Sequence, residues 1–399
     1  MKTIMHVDMN SYFATAEQQA NPYLRGRPIG IIKGRTGLPA GRQGCIIAAS
    51  VEAKRFGVKT GSTVWEAKQK CPQIILVPSD MDKYFALTKR MISIISHYSP
   101  TIEIFSIDEA FLDVTDTQKI FAGGAWEIAL EIKNKIKIEM GEWMKCSIGI
   151  SYTKLLAKLA SEMQKPDGLT FLGPEDYLQK TQNIAVEEIC GIGMARTRYL
   201  HDRGVFKLGQ ARKLELPPEI ADLVWLKNEE QLTTVDDLDP AKSVGRTFTA
   251  FSMLDTQSSI LKLVRNLIEE TAAKLREMGM GGRTLYLTLN PSPNLGEGHY
   301  TKTLKDPVCD PQVIFDLLSR EYLKNPVVGI RKAGVNISNL AFSVQRSVFD
   351  KREKVLRVVD EVNEKYGLFT AYPASLLGGE LIRPEMTGFL GDKWYRFGS

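Results

Sequence analysis

Cysteine is scarce in this sequence, and its few residues stand in no metal-binding or disulfide pattern. The five cysteines, Cys45, Cys71, Cys146, Cys190 and Cys309, are odd in number and widely scattered, with no C-x-x-C pair among them. Neither a zinc site nor a disulfide framework is indicated. We interpret them as small core residues of a protein in a reducing compartment.

Long apolar runs and a strong net charge are also lacking. Asp8 interrupts the N-terminal segment before a signal sequence could form, and no stretch approaches the ~18 uncharged residues that span a membrane. We therefore expect a cytoplasmic protein with no membrane partner. The net charge of +5 permits a polyanionic partner without requiring one.

The remaining composition is that of an ordinary globular protein. Hydrophobic residues make up 43% and charged residues 25% of the chain. A length of 399 residues exceeds what one hydrophobic core usually supports, so we expect roughly two to four domains.

Apolar periodicity predicts α/β structure in the first part of the chain. Residues 3–7 and 102–106 read as strands, and acidic residues follow each of them, Asp8 after the first and Asp108 and Glu109 after the second. The other predicted elements are helices 11–20, 80–98 and 126–139, a helix ending at 163, and strands 28–33, 45–49 and 146–150. A glycine-rich loop is expected at residues 34–44.

The second part begins with helices and continues as a new α/β domain. Residues 174–235 are helix-rich, and residues 189–193 before a basic helix resemble a helix-hairpin-helix. A polar linker follows, and residues 245–343 show the order β-α-β-β-α-β. One further helix, at 350–365, precedes a tail with apolar residues at 374–377 and 388–390.

Asp8, Asp108 and Glu109 are the candidate metal ligands. If their strands pair, three carboxylates meet at one edge of a sheet. Two hard divalent cations, about 3.5–4 Å apart, would offset that charge and could clamp the oxygens of a phosphoryl transfer. An acid taken singly is more often a helix N-cap or a solvated strand end, so the acids alone do not identify the reaction.

Four sequence blocks resemble the Y-family DNA polymerases, and within them the bacterial DNA polymerase IV group. The blocks are HVDMNSYF at 6–13, EAKRFGVK at 52–59, SIDEAFLD at 106–113, and GIS at 149–151 continued by KLLAK at 154–158 and KPDG at 165–168. They occur in the family's order and spacing, and the likeness covers roughly residues 1–345. The resemblance implies low-fidelity, template-directed DNA synthesis past lesions in DNA damage tolerance.

The resemblance also implies roles for individual residues. Asp8, Asp108 and Glu109 would bind two magnesium ions, with the carbonyl of Met9 as a further ligand. The nucleotide-binding positions would be Ser11, Tyr12, Phe13, Lys54 and Lys165, with Phe13 as the steric gate against ribonucleotides. The family usually has Tyr where Val51 stands and Arg where Lys54 stands, which changes the groups available to the triphosphate.

Several of these positions have ordinary alternatives. By periodicity alone, Phe13 or Tyr12 could be a plain core aromatic, and only the register of the motif selects Phe13. Lys54 and Lys165 could each be solvated lysines. Lys154 and Lys158 lie one helical turn apart, and such a basic face is usually solvated but could also follow DNA or triphosphate.

The implied fold is a multidomain α/β (α+β) right-hand polymerase, with a mixed-sheet palm, small fingers, a helical thumb and a β-α-β-β-α-β little finger. The expected boundaries are palm 1–11 and 77–170, fingers 12–76, thumb 171–238, linker 239–243, little finger 244–345, and C-terminal helix and tail 346–399. Small fingers bury less of the nascent base pair, so distorted templates fit.

The expected partners are primer-template DNA and deoxynucleoside triphosphates. The tail would either contact a sliding clamp or pack back on its own domain, since the glutamine-led motif typical of clamp binding is not clearly present. We expect the protein to act as a monomer. Candidate DNA contacts are Gly191 and Gly193 in the helix-hairpin-helix and Arg246, Lys302, Lys305, Arg331 and Lys332 on or beside strands of the last domain. Cys190 stands where a helix-hairpin-helix usually has proline, and a simple helix turn is an equally good local interpretation.

Two other functions are compatible with parts of the pattern. A nucleotide cyclase also has a palm-like sheet with two metal-binding acids, but the downstream DNA-binding domains argue against it. A non-catalytic DNA-binding scaffold would keep the fold without the activity, and the three intact acids argue against that.

Overall fold

A computed structural model describes residues 2–32, 44–227, 231–234, 241–291, 298–342, 351–367 and 369–377. These residues form two compact units, one extending up to residue 234 and the other from residue 241 to residue 377. No helix within these ranges is long and apolar enough to cross a bilayer. The predicted loop at 34–44 lies outside the described residues except for Gly44.

The first unit contains a five-stranded sheet, a three-stranded sheet and surrounding helices. Its strands are β1 Ile4–Met9, β2 Ile29–Ile32, β3 Ile46–Ala49, β4 Ile75–Pro78, β5 Ile102–Ile104, β6 Glu109–Asp113, β7 Cys146–Ser151 and β8 Leu169–Phe171. Its helices are α1 Tyr12–Ala20, α2 Val51–Arg55, α3 Val64–Lys70, α4 Met81–Ile95, α5 Gly124–Met140, α6 Lys154–Met163, α7 Tyr177–Thr181, α8 Met194–His201, α9 Leu208–Ala211 and α10 Pro218–Val224.

Strand β1 lies at the centre of the five-stranded sheet, whose order is β5-β6-β1-β7-β8. It runs antiparallel to both β6 and β7, and all six of its residues are buried. Met5 and Val7 share a core with α4 and α5, whereas His6 contacts α6 through Ser161. The buried, apolar and β-branched sequence of β1 is therefore explained by helices on both of its faces.

Helix α6 approaches the sheet closely because β7 contains a glycine. A Cβ atom built on Gly149 would lie 2.0 Å from the carbonyl oxygen of Ala157 and 2.4 Å from the amide nitrogen of Ser161. Only a residue without a side chain fits between the strand and the helix. The close packing places α6 beside the face of β1 that carries His6.

The prediction that acids follow the ends of two strands was wrong in detail. Asp8 lies inside β1, and the strand predicted at 102–106 ends at Ile104. A turn follows, in which the Ser106 hydroxyl donates to Asp108 Oδ1 at 2.6 Å, and Glu109 then begins β6. Such a local side-chain hydrogen bond offers the chain an alternative to strand pairing, and here it accompanies a tight hairpin.

The rest of the first unit forms two smaller layers. The three-stranded sheet has the order β3-β2-β4 and shares a core with α2 and α3. Helices α8, α9 and α10 pack around a separate core that includes Leu200, Leu208 and Val224. The prediction of a helix-rich segment after residue 174 is confirmed over the described residues.

The second unit has the predicted β-α-β-β-α-β order. Its elements are β9 Ser243–Leu254, α11 Gln257–Glu277, β10 Met280–Pro291, β11 Gly298–Val308, α12 Pro311–Lys324, β12 Ile330–Phe342 and α13 Lys351–Tyr366. The strands form an antiparallel sheet in the order β11-β10-β12-β9. Helices α11 and α12 cover one of its faces, where Leu285, Leu287 and Val335 are buried.

Part of the C-terminal segment packs back onto this unit. Arg276 on α11 donates to both carboxylate oxygens of Asp360 on α13, each at 2.7 Å. Leu376 is only 2% exposed, and Lys262 on α11 donates to the carbonyl of Leu377 at 2.8 Å. The first apolar tail segment, 374–377, is therefore attached to α11, while the second, 388–390, lies outside the described residues.

Candidate active site

The three predicted metal-binding acids converge where β1 meets β6. Asp8 and Glu109 are direct partners in the register of the two strands. The Met9 amide donates to the carbonyl of Asp108 at 2.9 Å, which holds the hairpin turn against the end of β1. The structure thus brings the Asp8 and Glu109 carboxylates together through backbone pairing, with Asp108 in the adjoining turn.

Asp8 and Asp108 are buried carboxyl groups. Burial raises the pKa of Asp8 to about 7, although the Lys165 ammonium, 3.0 Å from Asp8 Oδ2, acts in the opposite direction. Burial also raises the pKa of Asp108, against the hydrogen bond from Ser106. A cation would favour the ionised form of both groups, and clustered carboxylate oxygens are the ligands that hard divalent ions prefer. The residues present therefore fit a divalent metal ion.

Glu109 has a different environment, because positive and hydrogen-bonding groups surround it. Burial alone would raise its pKa, but the hydrogen bond from His6 and the charge of Lys158 hold that pKa at about 2. The Lys158 ammonium forms an ion pair with Glu109 Oε2. Glu109 is therefore ionised at neutral pH.

His6 contacts Glu109 on the face of the sheet that α6 covers. Its Nε2 lies 3.0 Å from Glu109 Oε2, its Nδ1 lies 2.8 Å from the Ser161 hydroxyl, and the ring is fully buried. Burial lowers the pKa of His6 to about 4, so the imidazole is neutral. A ring nitrogen of His6 also lies within 4.8 Å of carboxylate oxygens of Asp8 and Glu109. Because both nitrogens are occupied by protein partners, we assign His6 to orienting Glu109.

Both predicted triphosphate lysines belong to this neighbourhood. Lys165 contacts Glu162 Oε1 at 2.5 Å as well as Asp8. Partial burial lowers the pKa of Lys54, and the charges of Lys165 and Asp8 also act on it. Lys54 lies on the short helix α2, which Ser50 caps by accepting a hydrogen bond from the Ala53 amide. Val51, half-buried, begins that helix.

Tyr12 and Phe13 occupy different environments. Tyr12 is 3% exposed, and its hydroxyl donates to the Tyr84 carbonyl at 2.7 Å, so its ring belongs to the core. Phe13 is only partly buried, and its ring stacks on that of Tyr84 at 4.4 Å. Ser11 precedes both at the start of α1, with a positive φ of 47°.

The segment predicted as a helix-hairpin-helix contains a glycine turn between a 3-10 turn at Val186–Glu188 and α8. Gly191 has a φ of +96°, and a Cβ atom there would approach the Leu223 side chain to 3.0 Å. Gly193 immediately precedes α8, and nothing lies within 4 Å of a Cβ atom built on it. The backbone of this turn is therefore accessible, as a phosphate contact requires.

The five basic residues predicted to contact DNA in the second unit are not equivalent. Arg246 forms an ion pair with Glu270 of α11 at 2.6 Å, and Lys302 forms one with Glu321 of α12 at 3.5 Å. Both therefore face the helices. Lys305 and Lys332 are exposed, and Arg331 is half-buried.

Sequence reasoning missed the supporting side chains of the site. The basic face predicted for α6 is neither solvated nor free: Lys158 pairs with Glu109, and Lys154 is 9% exposed and pairs with Glu103 at 2.7 Å. His6 is the first residue of the HVDMNSYF block. It lies two residues before Asp8 in one strand, which places both side chains on the same face of the sheet. That alternation was the signal that could have identified it.

Comparisons with known proteins agree with this geometry. Residues 7–162 match the impB/mucB/samB family, and residues 241–348 match the C-terminal domain of the same family. The first match includes all three acids and Lys158 but ends before Lys165.

Relatives and a solved structure extend the similarity over most of the chain. DNA polymerase IV of Acetivibrio thermocellus is 30% identical over 94% of this chain and 98% of its own length. DNA polymerase IV of Pelotomaculum thermopropionicum is 33% identical, over 91% of this chain and 92% of its own. A Y-family DNA polymerase chimera matches the fold with a TM-score of 0.70 at 25% identity, covering 86% of this chain and 100% of its own. The chain thus belongs to the impB/mucB/samB family as a Y-family, DNA polymerase IV-like enzyme that carries out template-directed translesion DNA synthesis.

Proposed function

We propose that Asp8, Asp108 and Glu109, with the Met9 carbonyl, hold two magnesium ions at which the chain adds a deoxynucleotide to a primer 3′ end. The family is metal-dependent, and the observation that carries the assignment is the direct pairing of Asp8 with Glu109 across β1 and β6. The raised pKa of buried Asp8 supports a cation at this edge. When bound, two such ions lower the pKa of the primer hydroxyl and offset the charge of the leaving pyrophosphate.

The protein's own side chains orient the reacting groups. His6 and Lys158 fix the Glu109 carboxylate from two directions, so that it need not reorganise during the reaction. Lys54 and Lys165 supply positive charge for the triphosphate oxygens. Lys165 is supported in this role by its position beside Asp8, since a triphosphate bound there would lie within reach of the same ammonium group.

Phe13 is the side chain that we propose as the steric gate beneath the sugar. Tyr84 supports one face of its ring, and the ring is only partly buried, which leaves part of it accessible to a nucleotide. The Tyr12 ring is buried in the core and hydrogen-bonded there, which argues against a direct role. This contrast between Tyr12 and Phe13 also supports the register of the N-terminal motif, from which the Met9 carbonyl is assigned as a metal ligand.

DNA contacts are best supported at residues that remain accessible. These are the backbone at Gly191 and Gly193 and the side chains of Lys305 and Lys332, with Arg331 beside them. Arg246 and Lys302 would first have to leave Glu270 and Glu321, so their ion pairs argue against phosphate contacts. Exposed lysines on a sheet can follow the phosphate backbone without reading bases.

We keep the palm at 1–11 and 77–170, the fingers at 12–76, the thumb at 171–238 and the little finger at 244–345. The five-stranded sheet supports this palm, and the β3-β2-β4 sheet supports the fingers. A sliding clamp is the partner proposed for the tail. Because Leu376 is buried, docking is assigned to the residues after 377.

Primer extension with magnesium and all four deoxynucleotides tests the proposed function. We expect template-dependent extension that stops on chelation and resumes when magnesium is added back. Conversion of free triphosphate without a template would indicate a cyclase. DNA binding without either reaction would indicate a scaffold, and both results would contradict the proposal.

A further inference from the structure

We propose that Asn10 and Lys133 are positioning residues that fix the loop at residues 165–168 and thereby set the location of the Lys165 ammonium group. This inference rests on the proposed function, because it takes Lys165 to contact the incoming triphosphate. The side-chain hydrogen bonds of both residues are made to β7 and to this loop. Their effect would pass through the backbone of the loop.

Asn10 connects the loop to the strand that carries Asp8. Its Oδ1 accepts a hydrogen bond from the Asp167 amide at 2.6 Å, and its Nδ2 donates to the Ser147 hydroxyl oxygen at 3.0 Å. Asn10 is buried, with 4% exposure. Its backbone amide donates to the Lys145 carbonyl at 2.8 Å. Because Asn10 follows Asp8 by two residues, its hydrogen bond to Asp167 ties the loop directly to the segment that carries the proposed metal ligands.

Lys133, on helix α5, binds the same loop at the carbonyl side of Asp167. Its ammonium group lies 2.7 Å from the carbonyl oxygen of Cys146, 2.9 Å from that of Asp167, 3.3 Å from that of Gly168 and 2.6 Å from Asp167 Oδ1. An ammonium has only three protons, so these four acceptors leave none of them unused. A lysine bound to carbonyl oxygens and to one carboxylate in this way anchors the loop and has no proton left for a ligand.

The loop has a conformation that needs anchoring. Asp167 has a φ of +62°, in the left-handed region that residues with a side chain rarely adopt. A Cβ atom built on Gly168 would lie 2.0 Å from the Gln164 carbonyl oxygen, so the chain folds back tightly on the end of α6. Asn10 and Lys133 bind the Asp167 backbone on its two sides and make this conformation favourable. Lys165, two residues earlier, is directed towards Asp8 as a result.

A double-mutant cycle on single-nucleotide incorporation tests the inference. Asn10→Ala and Lys133→Met should each raise the KM for the deoxynucleotide about five- to tenfold with kcat changed less than about threefold, because binding geometry is lost rather than chemistry. Lys165→Ala should raise KM at least as much. In the Lys165→Ala background, Asn10→Ala and Lys133→Met should add almost nothing.

Lys137→Met is the matched control. Lys137 lies one turn further along α5, is largely exposed, and is 3.8 Å from Glu142, so its replacement should leave KM unchanged. The inference would be overturned if Asn10→Ala and Lys133→Met raised KM by the same factor in the Lys165→Ala background as in the wild-type protein. If Asn10→Ala does not fold, the cycle with Lys133→Met decides alone. Should Lys165→Ala leave KM unchanged, the role proposed for Lys165 fails, and the inference with it.

Discussion

Asp8 shows how a single residue can favour function over stability. Its pKa in the folded protein is raised to about 7, so the folded state binds this proton more tightly than the unfolded chain does. Stability from this group is therefore lost as pH rises from about 4 to about 7, and the ionised, buried carboxylate destabilises the fold above that range. A metal ion would relieve this unfavourable charge when bound.

Replacing Asp8 by Asn should stabilise the protein while abolishing incorporation. We expect the free energy of unfolding at pH 8, without divalent ions, to rise by about 1–2 kcal/mol, after discounting the lost contact with Lys165. At pH 4 the two proteins should be nearly equal, because the wild-type carboxyl is then protonated in the folded state. Urea unfolding at both pH values checks this. Glu162→Gln, an exposed partner of Lys165, should show no such gain.

The Phe13 side chain should control sugar selectivity. We expect Phe13→Ala to admit ribonucleotides, because removing the ring opens room for a 2′ hydroxyl, while incorporation of deoxynucleotides changes less. The measurement is kcat/KM for a matched ribo- and deoxyribonucleotide pair.

Tyr12→Ala is the control for that experiment. Its ring is buried and its hydroxyl is bound to Tyr84, so the change should reduce stability and general activity without a selective gain for ribonucleotides. A larger shift of the selectivity ratio with Tyr12→Ala than with Phe13→Ala would show that the motif register is wrong. The assignment of Met9 as a backbone ligand would then weaken as well.

Helix α6 is the element that carries the supporting side chains of the site, and Gly149 sets its distance from the sheet. In Gly149→Ala the added methyl group would meet the Ala157 carbonyl and the Ser161 amide. We expect a loss of about 2 kcal/mol or more in stability, with a slower incorporation rate because Lys158 and Ser161 move with the helix. Thermal unfolding and single-turnover kinetics measure the two effects.

Gly334→Ala in the second unit provides the comparison. Its added Cβ would meet the Thr247 hydroxyl at 3.1 Å, a side chain that can adjust. A loss of stability as large as that of Gly149→Ala would argue against the special closeness of α6 to β7. An unchanged rate in a folded Gly149→Ala protein would argue against the role of α6 in the site.

Sequence patterns predicted these elements well but not the contacts between them. The β-α-β-β-α-β order and the convergence of Asp8 with Glu109 followed from periodicity and from the motifs. The turn before Asp108 was missed because Phe105 and Ile107 continue the apolar pattern of β5, and the Ser106 hydrogen bond leaves no periodic signal. Contacts such as His6 to Ser161 join positions 155 residues apart. Such pairs depend on the register of the folded sheet.

At the scale of the whole molecule, we propose that the tail after residue 377 docks on a sliding clamp. Deleting residues 379–399 keeps Leu376 on α11 and removes the remaining apolar segment. We expect extension without a clamp to be unchanged and stimulation by a loaded sliding clamp to be lost, because only the removed residues are assigned to docking. Equal clamp stimulation of the truncated and full-length proteins would rule out this docking segment.

The central claim is that the polymerase reaction takes place at the acidic residues where β1 meets β6. Asp108→Ala tests it most directly, because Asp108 lies in the hairpin turn, where its side chain bonds to Ser106. Single-turnover incorporation should fall by about 10³-fold or more, while primer-template affinity stays within a few fold, because metal ligation and phosphate contacts use different residues. Extension within about tenfold of the parent enzyme would remove Asp108 from the metal site and contradict the account.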